Sequence, residues 1–134
     1  MKKGAVLDSY AVITYLQKQK GYEEVTTLFE ECAAGDPAIF LCIVNWGEVI
    51  YHALRTGGKE RAVLADELMR ALPIHLVEAN RELTLRAAQI KAYHKLSYAD
   101  CFAAALAITK KCELVTGDKE FKQLEKEIRI KWIT

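Results

Sequence analysis

The sequence has few of the features that mark fibrous, membrane-bound or secreted proteins. Its 134 residues include only two prolines and seven glycines, which excludes collagen-like and low-complexity classes. No run approaches the roughly 20 apolar residues that cross a bilayer. The segment before Asp8 also has no apolar stretch long enough for a signal peptide. We therefore expect a cytoplasmic protein that does not associate with membranes.

Neither sign of charge dominates the chain. Nineteen Lys and Arg residues are balanced by 18 Asp and Glu residues, for a formal net charge of +1. This balance excludes a global positive field that would hold a polyanion such as DNA. Any nucleic-acid binding would need a local basic patch or metal ions.

The cysteines and histidines lack the spacing of a metal site. The four cysteines are far apart with no C-x-x-C pair, which predicts reduced apolar residues and neither a zinc site nor a disulfide framework. The three histidines share no ligand spacing, and we expect them to be structural or surface residues: His52, His75 and His94.

What the chain does contain is apolar segments that alternate between strand and helix patterns. With 51% hydrophobic residues, residues 1–134 are predicted to form a single domain. Strands are predicted at residues 5–7, 38–44, 74–77, 113–116 and 128–133. Helices are predicted at 9–16, 22–34, 45–56, 59–72, 81–95, 97–111 and 119–127. The alternation predicts an α/β fold, a three-layer α/β/α sandwich with a mostly parallel sheet of about five strands.

The helix that begins near Tyr98 is apolar almost all the way round and should be buried. Asp100 is its one charge before Lys110, and no cation lies three or four positions away. A buried carboxylate must be neutralised, hydrogen-bonded or paired with a distant group. One alternative is a capping box with Ser97, in which the acid serves only the helix start.

Three further acids stand at similar junctions between elements. Asp8 follows the first strand, Glu48 lies early in the helix after the second, and Asp118 follows the fourth. The carboxyl ends of parallel strands meet at one edge of a sheet, where ligands bind. Each acid also has a structural interpretation, because Asp8 and Asp118 can act as N-caps and Glu48 can pair with Asn45 or His52.

Four neighbouring carboxylates raise one another's pKa values and require a counter-charge. One or two divalent ions supply it, and Mg²⁺ and Mn²⁺ prefer oxygen ligands. Two such ions about 3.5–4 Å apart can clamp the attacking and leaving oxygens of a phosphodiester. This combination favours phosphodiester hydrolysis.

The residues around these acids resemble the conserved blocks of PIN-domain nucleases, and within them the VapC-type toxins of toxin–antitoxin systems. The similarity covers nearly the whole chain in four blocks, each of which contains one acid: Val6-Leu7-Asp8-Ser9, Asn45-Trp46-Gly47-Glu48-Val49, residues 96–105 around Asp100, and residues 114–121 around Asp118. Tyr98, Cys101 and Trp46 depart from the commonest choices but replace no acid.

The resemblance implies a Mg²⁺- or Mn²⁺-dependent endoribonuclease whose catalytic, metal-binding acids are Asp8, Glu48, Asp100 and Asp118. It also implies a polar site position at Thr116, a helper role for Ser9, a homodimer, and an antitoxin whose tail covers the active groove. All four acidic positions are intact.

Basic and aromatic residues near these blocks are candidates for RNA contact. Arg55, Lys59, Arg61 and Lys119 can hold phosphates, although surface cations are mostly just solvated. Tyr10, Trp46 and Tyr98 can stack on splayed bases or belong to the core.

Three other functions remain open. The chain can be a catalytically silent PIN-like module that binds RNA or an antitoxin, or a metal-independent ribonuclease that uses histidine. An aspartyl-phosphate phosphatase is disfavoured, because Tyr10 occupies the position where that pattern has a second acid.

Overall fold

The computed structural model describes residues 4–134 and contains a five-stranded sheet in the order β3-β2-β1-β4-β5. Every pair of neighbouring strands is parallel. The strands are β1 (Ala5–Leu7), β2 (Ile39–Cys42), β3 (Ile74–Val77), β4 (Glu113–Thr116) and β5 (Ile130–Trp132). The predicted α/β fold with a parallel sheet is confirmed. Lys2 and Lys3, which belong to the segment assessed for a leader peptide, lie outside the described residues.

Five helices connect these strands: α1 (Ser9–Leu16), α2 (Tyr22–Glu31), α3 (Ile43–Arg70), α4 (Arg81–Tyr93) and α5 (Tyr98–Lys110). A short 3-10 helix, Lys119–Leu124, lies between β4 and β5. The element order follows the predicted alternation. The boundaries differ most at two helix ends: α2 ends at Glu31 and the 3-10 helix at Leu124, each three residues before the predicted end. Strand β2 ends at Cys42, two residues early, because Ile43 already begins α3.

Alternate side chains of the central strands supply two cores, one on each face of the sheet. Val6 and Leu114 belong to the core that α4 and α5 complete. Leu7 and Val115 belong to the core that α1, α2 and α3 complete. This alternation is the period-two geometry of a β-strand. It produces the three layers predicted from the sequence.

Helix α5 is buried along most of its length, as its composition predicts. Every residue from Asp100 to Ala107 is buried. Five of these eight residues are alanine or cysteine, and their small side chains let the helix lie close to the sheet, where it contacts β1, β2 and β4. The first turn of α5 is thereby held against the ends of the central strands.

Helix α3 is broken at Gly58, which adopts φ 72° and ψ −165°. The predicted helix end at the Gly57-Gly58 pair is therefore confirmed: α3 consists of two helical halves that meet at a kink at Gly58. Non-glycine residues disfavour this positive φ, so the break depends on glycine.

The prediction that Val63, Leu64 and Leu68 face inward from the second half of α3 is wrong. Their exposed fractions are 58%, 54% and 42%. Met69 is buried as predicted, with Ala62 and Ala65 beside it on the inner face. Ala62, Ala65 and Met69 recur at the helical spacing i, i+3 and i+7, so the inner face of this half is the one with mostly small side chains.

None of the helices in residues 4–134 combines the length and the apolar character that a membrane span requires.

Two glycines with positive φ provide a stability test of the fold. Gly21, at the start of α2, has φ 101°, and a Cβ built there would overlap the carbonyl oxygen of Ile133. Gly35 has φ 82°, but a Cβ there meets nothing within 4 Å. Gly35→Ala should lower the free energy of unfolding by about 1–2 kcal/mol, the cost of alanine in the left-handed region.

Gly21→Ala should lower the free energy of unfolding well beyond this value, because it adds the steric overlap to the same backbone cost. Urea unfolding of both variants measures the difference. Equal losses would show that the contact between Gly21 and the end of the chain does not constrain the fold.

Candidate metal centre

The four predicted acids lie at the carboxyl edge of the sheet, where the chain reverses its direction of winding. From β1 the chain moves outward through β2 to β3 and then crosses to β4 on the other side of β1. Such a switch point opens a crevice between the two neighbouring strands. Asp8 directly follows β1, and Thr116 is the last residue of β4. Two polar side chains therefore meet at the centre of the crevice.

Asp8 is fixed in place by two hydrogen bonds. Its Oδ1 accepts from the Ala11 backbone N–H at 2.8 Å, which makes Asp8 the N-cap of α1. Its Oδ2 accepts a short hydrogen bond from the Thr116 hydroxyl. The hydroxyl oxygen of Thr116 in turn accepts from the Asp118 backbone N–H at 3.0 Å. The N-cap interpretation of Asp8 is thus correct, and it coexists with a place in the acidic cluster.

Asp100 enters the crevice from the other face of the sheet, in the first turn of α5. Ser97 caps this helix, with its hydroxyl accepting from the Asp100 backbone N–H at 3.1 Å. The Asp100 side chain is 8% exposed. The capping geometry that the Ser97-to-Asp100 spacing predicts therefore aims a buried carboxylate at the crevice.

Glu48 reaches the same cluster from α3. Its Oε1 accepts from Asn45 Nδ2 at 3.1 Å, and the same amide nitrogen donates to the carbonyl oxygen of Ala99 at 3.1 Å. The suggested pair between Glu48 and His52 is not formed, because His52 Nε2 lies 3.1 Å from Gln17 Nε2 instead. Asn45 does not cap α3, whose N-cap is Cys42.

Asp118 completes the set and brings an acid that the sequence analysis did not single out. Asp118 caps the 3-10 helix by accepting from the Glu120 backbone N–H at 3.0 Å. Carboxylate oxygens of Asp100, Asp118 and Glu120 all lie within 4.8 Å of one another. In the sequence, the only sign of this role was that Glu120 lies two residues after Asp118. The 3-10 turn that follows Asp118 brings the Glu120 carboxylate close to the other acids.

The pKa values of the two most buried acids in the cluster are raised, as expected for carboxylates that have no ion-pair partner. Burial raises the pKa of Asp8 to about 7, and the Asp100 and Asp118 charges add to the shift. Burial, followed by the Asp118 charge, raises the pKa of Asp100 to about 6, with Glu48 and Glu120 contributing. Within residues 4–134, the ion pairs are Arg70 with Asp66 and His94 with Glu127, so no lysine or arginine neutralises these acids.

This donor set fits a hard divalent cation. The groups are carboxylate oxygens, which Mg²⁺ and Mn²⁺ prefer over nitrogen and sulfur ligands. They are held by helix caps and strand ends, so their positions are largely set before any ion arrives. A bound cation would favour the ionised forms of Asp8 and Asp100, and so oppose both the burial and the neighbouring charges that raise their pKa values.

The other predicted site residues lie at different depths. Thr116 is fully buried and its hydroxyl is engaged with Asp8, so it orients that acid and has no surface for a substrate. Ser9 is half-buried beside Asp8, and Lys119 is exposed beside Asp118. Arg55 is exposed about two turns along α3 from Glu48.

Two of the three candidate aromatic residues are exposed near the acids. Tyr10, 41% exposed, lies in the first turn of α1, and its ring occupies the space that a side chain at Gly117 would need. Tyr98, 46% exposed, lies in the first turn of α5 with its ring 5.1 Å from that of Phe102. Trp46 is half-buried against the core that α1, α2 and α3 complete. The two tyrosines therefore flank the cluster on opposite faces of the sheet.

Comparison with known families and structures identifies the same fold. The family model of the PIN domain matches residues 5–127. None of the curated protein sequences gives a significant match to the chain.

Several solved structures share the architecture over their whole length. A chain of the DNA-bound VapBC structure from Salmonella typhimurium has a TM-score of 0.73 at 20% identity, and the match covers 100% of both chains. VapBC2 from Rickettsia felis, bound to a promoter DNA fragment, gives 0.76 at 14% identity over 98% of this chain and 99% of that one. VapC20 from Mycobacterium tuberculosis, a sarcin–ricin loop cleaving toxin, gives 0.70 at 16% identity over 89% and 93%. At these identities the similarity shows the fold.

The raised pKa of Asp100 predicts how stability depends on pH in metal-free protein. The ordinary aspartate pKa is 3.8 and the folded value is about 6, so between these pH values the folded state retains a proton that the unfolded state has lost. Stability must fall as pH rises through this window. Asp100→Asn cannot ionise, so it should be more stable than the parent above pH 6, by on the order of 2 kcal/mol.

Thermal unfolding in chelator at pH 4 to 8 measures this difference, with an expected gap of roughly 4–8 °C at neutral pH. Glu67→Gln, which removes an exposed acid from the far half of α3, is the matched control and should show no such gap. A parent protein as stable as Asp100→Asn at pH 8 would contradict the electrostatic account of the cluster.

Proposed function

The chain belongs to the PIN-domain family, and from this premise we propose that it is a metal-dependent endoribonuclease, the toxin of a VapC-type toxin–antitoxin pair. The observation that carries the proposal is the convergence of Asp8, Glu48, Asp100 and Asp118 on one crevice, where none of them forms an ion pair with a lysine or arginine of residues 4–134. We assign metal binding and catalysis to these four acids and Mg²⁺ or Mn²⁺ as the cofactor. The nuclease unit in this proposal spans residues 1–134.

The protein's part in the reaction is to hold and orient charged groups. A divalent ion bound here supplies Lewis-acid polarisation of the phosphodiester and a counter-charge for the carboxylates. Thr116 and the Ala11 backbone N–H fix both oxygens of Asp8. Asp100 and Asp118 approach it from α5 and the 3-10 helix. Because the caps position these groups before substrate arrives, little reorganisation remains for the reaction itself.

Substrate contacts are proposed for the polar residues at the edge of the crevice. Lys119 and Arg55 are exposed cations that can pair with RNA phosphates on either side of the acids. Ser9 directly follows Asp8 in the chain and is half-buried, and we assign it a helper role at the site. Tyr10 and Tyr98 offer exposed rings on opposite faces for unstacked bases. Since the net charge is only +1, RNA binding in this proposal depends on these local groups.

An apolar groove supports an antitoxin as the protein partner. The groove runs between α1 and the two halves of α3, and we call it the α1–α3 groove; it is lined by Ile13, Leu16, Val49, Ala53, Leu64 and Leu68 among others. Its volume is about 570 Å³. A groove of this kind accepts the apolar face of a helix, and a partner there would cover the side chains that α3 leaves exposed. A homodimer is part of the same proposal.

Cleavage of RNA by the purified chain is the direct test of the nuclease proposal. With Mn²⁺ or Mg²⁺ present, total cellular RNA should be cut at discrete sites. Chelator should abolish the cutting, and Asp100→Asn should lower its rate by about 100-fold or more, since even groups outside the first ligand shell cost 10- to 100-fold. Glu67→Gln is the matched control and should cleave like the parent.

Cleavage that survives both chelator and Asp100→Asn would overturn the carboxylate mechanism in favour of histidine or a contaminating nuclease. No cleavage under any condition would favour the catalytically silent binding module.

The antitoxin proposal is tested by growth rescue in cells that express the chain. Expression should arrest growth, and co-expression of the antitoxin should restore it. Leu64→Glu places a charge in the α1–α3 groove, so arrest should persist despite the antitoxin. Leu85→Glu changes a leucine that is 61% exposed on α4, across the sheet, and rescue should be retained. Rescue of Leu64→Glu would show that the antitoxin binds elsewhere.

A further inference from the structure

Asn45 is a polar side chain that the sequence and the proposed reaction leave without a function. It lies in the first turn of α3 and is 0% exposed. Its amide nitrogen donates to Glu48 Oε1 and to the carbonyl oxygen of Ala99, both at 3.1 Å. The second contact joins residues 54 positions apart. One amide group therefore links the helix that carries Glu48 to the helix that carries Asp100.

The orientation of this amide follows from its neighbours. Both contacts are with oxygen acceptors, a carboxylate and a carbonyl, and only the nitrogen side of the amide can donate to them. The reverse orientation would place Oδ1 against two other oxygens. In the structure, Nδ2 of Asn45 therefore faces Glu48 as the donor, and its acceptor Oδ1 faces away from Glu48.

Stability alone does not explain an asparagine at this position. Its Oδ1 is buried and has no hydrogen-bond partner among residues 4–134, which costs free energy. Capping does not explain it either, since Cys42 is the N-cap of α3 and Asn45 accepts no backbone N–H. An apolar side chain of similar size would avoid the buried acceptor. What such a side chain would lose is the donor to Glu48 and to the Ala99 carbonyl, the two contacts that join the helices of the acids.

Glu48 needs that donor because its neighbours repel it. The charge of Glu48 acts unfavourably on Asp100, and the same repulsion acts in return. Glu48 is only half-buried, so an unrestrained side chain would move toward solvent when no cation is present. A hydrogen bond to one carboxylate oxygen opposes this movement and leaves the second oxygen available to a ligand.

We propose that Asn45 is a positioning residue that holds Glu48 in the acidic cluster, joined to α5 through Ala99, so that the cluster is arranged for a divalent cation before it binds. This inference rests on the proposed function, because it assumes that the four acids bind the metal. Asn45 itself contacts neither the cation nor the RNA. Its effect passes through Glu48.

The test is a double-mutant cycle on metal affinity, measured by calorimetric titration of metal-free protein with Mn²⁺. Asn45→Leu should weaken Mn²⁺ binding by about tenfold, the lower end of the range for groups that orient metal ligands. In chelator its thermal midpoint should stay close to that of the parent, because removal of the buried unpaired acceptor offsets the loss of the two hydrogen bonds that Asn45 donates. Asn45→Ala provides a second variant if leucine does not pack.

The cycle separates positioning from a general structural role. In a Glu48→Gln background, Asn45→Leu should cause no further loss of Mn²⁺ affinity, because the group through which it acts has already been changed. Additive losses, or parental affinity in both Asn45 variants, would overturn the proposal. Asn80→Ala removes an asparagine amide that caps α4 away from the acids, and it should leave Mn²⁺ affinity unchanged.

Asp100→Asn distinguishes this proposal from the one on which it rests. If Asp100→Asn and Glu48→Gln both bind Mn²⁺ like the parent, the metal site itself is wrongly assigned and both proposals fall. If they lose affinity and the Asn45 variants do not, only the positioning role of Asn45 is overturned.

Discussion

The hydrogen bond from the Thr116 hydroxyl to Asp8 joins the ends of β1 and β4 at the point where the sheet reverses its winding. The rest of the acidic cluster depends on it. It holds a fully buried carboxylate in a fixed direction, and through the Asp118 backbone N–H it sets the start of the 3-10 helix. Without this link the two strands would still pair and the helix caps would remain, but Asp8 would no longer be tied to the end of β4 and to the Asp118 backbone.

The cluster is stabilised by the same interactions that begin its helices. Asp8 and Asp118 act as N-caps, and Ser97 caps the helix that carries Asp100. Helix N-termini favour negative charge, which opposes the effects of burial and of repulsion between the acids, the two causes that raise the pKa values of Asp8 and Asp100. The interpretation of an acid as a helix cap is therefore compatible with its interpretation as a member of the acidic cluster. The caps are how the fold holds like charges close together.

The sequence analysis was wrong or incomplete at positions where contacts between distant residues decided the outcome. The helical period identified an apolar stripe on the second half of α3, but packing against the rest of the fold buries Ala62 and Ala65 and leaves Leu64 and Leu68 exposed. The spacing of Asn45 and Glu48 indicated a local pair, but not the contact with Ala99. Glu120 went unassigned because its approach to Asp100 depends on the tight turn after Asp118 and on the position of α5.

The sequence by itself determined the alternation of strands and helices, the burial of α5 and the placement of four acids at element ends. These features follow from periodicity, helix caps and turn residues, which act over a few neighbouring positions. The tertiary structure alone decided which acids meet, how deeply each is buried, and which apolar side chains remain exposed in the α1–α3 groove. Those outcomes depend on packing between elements that are far apart in the chain. The local sequence pattern around a residue does not specify which distant residue packs against it.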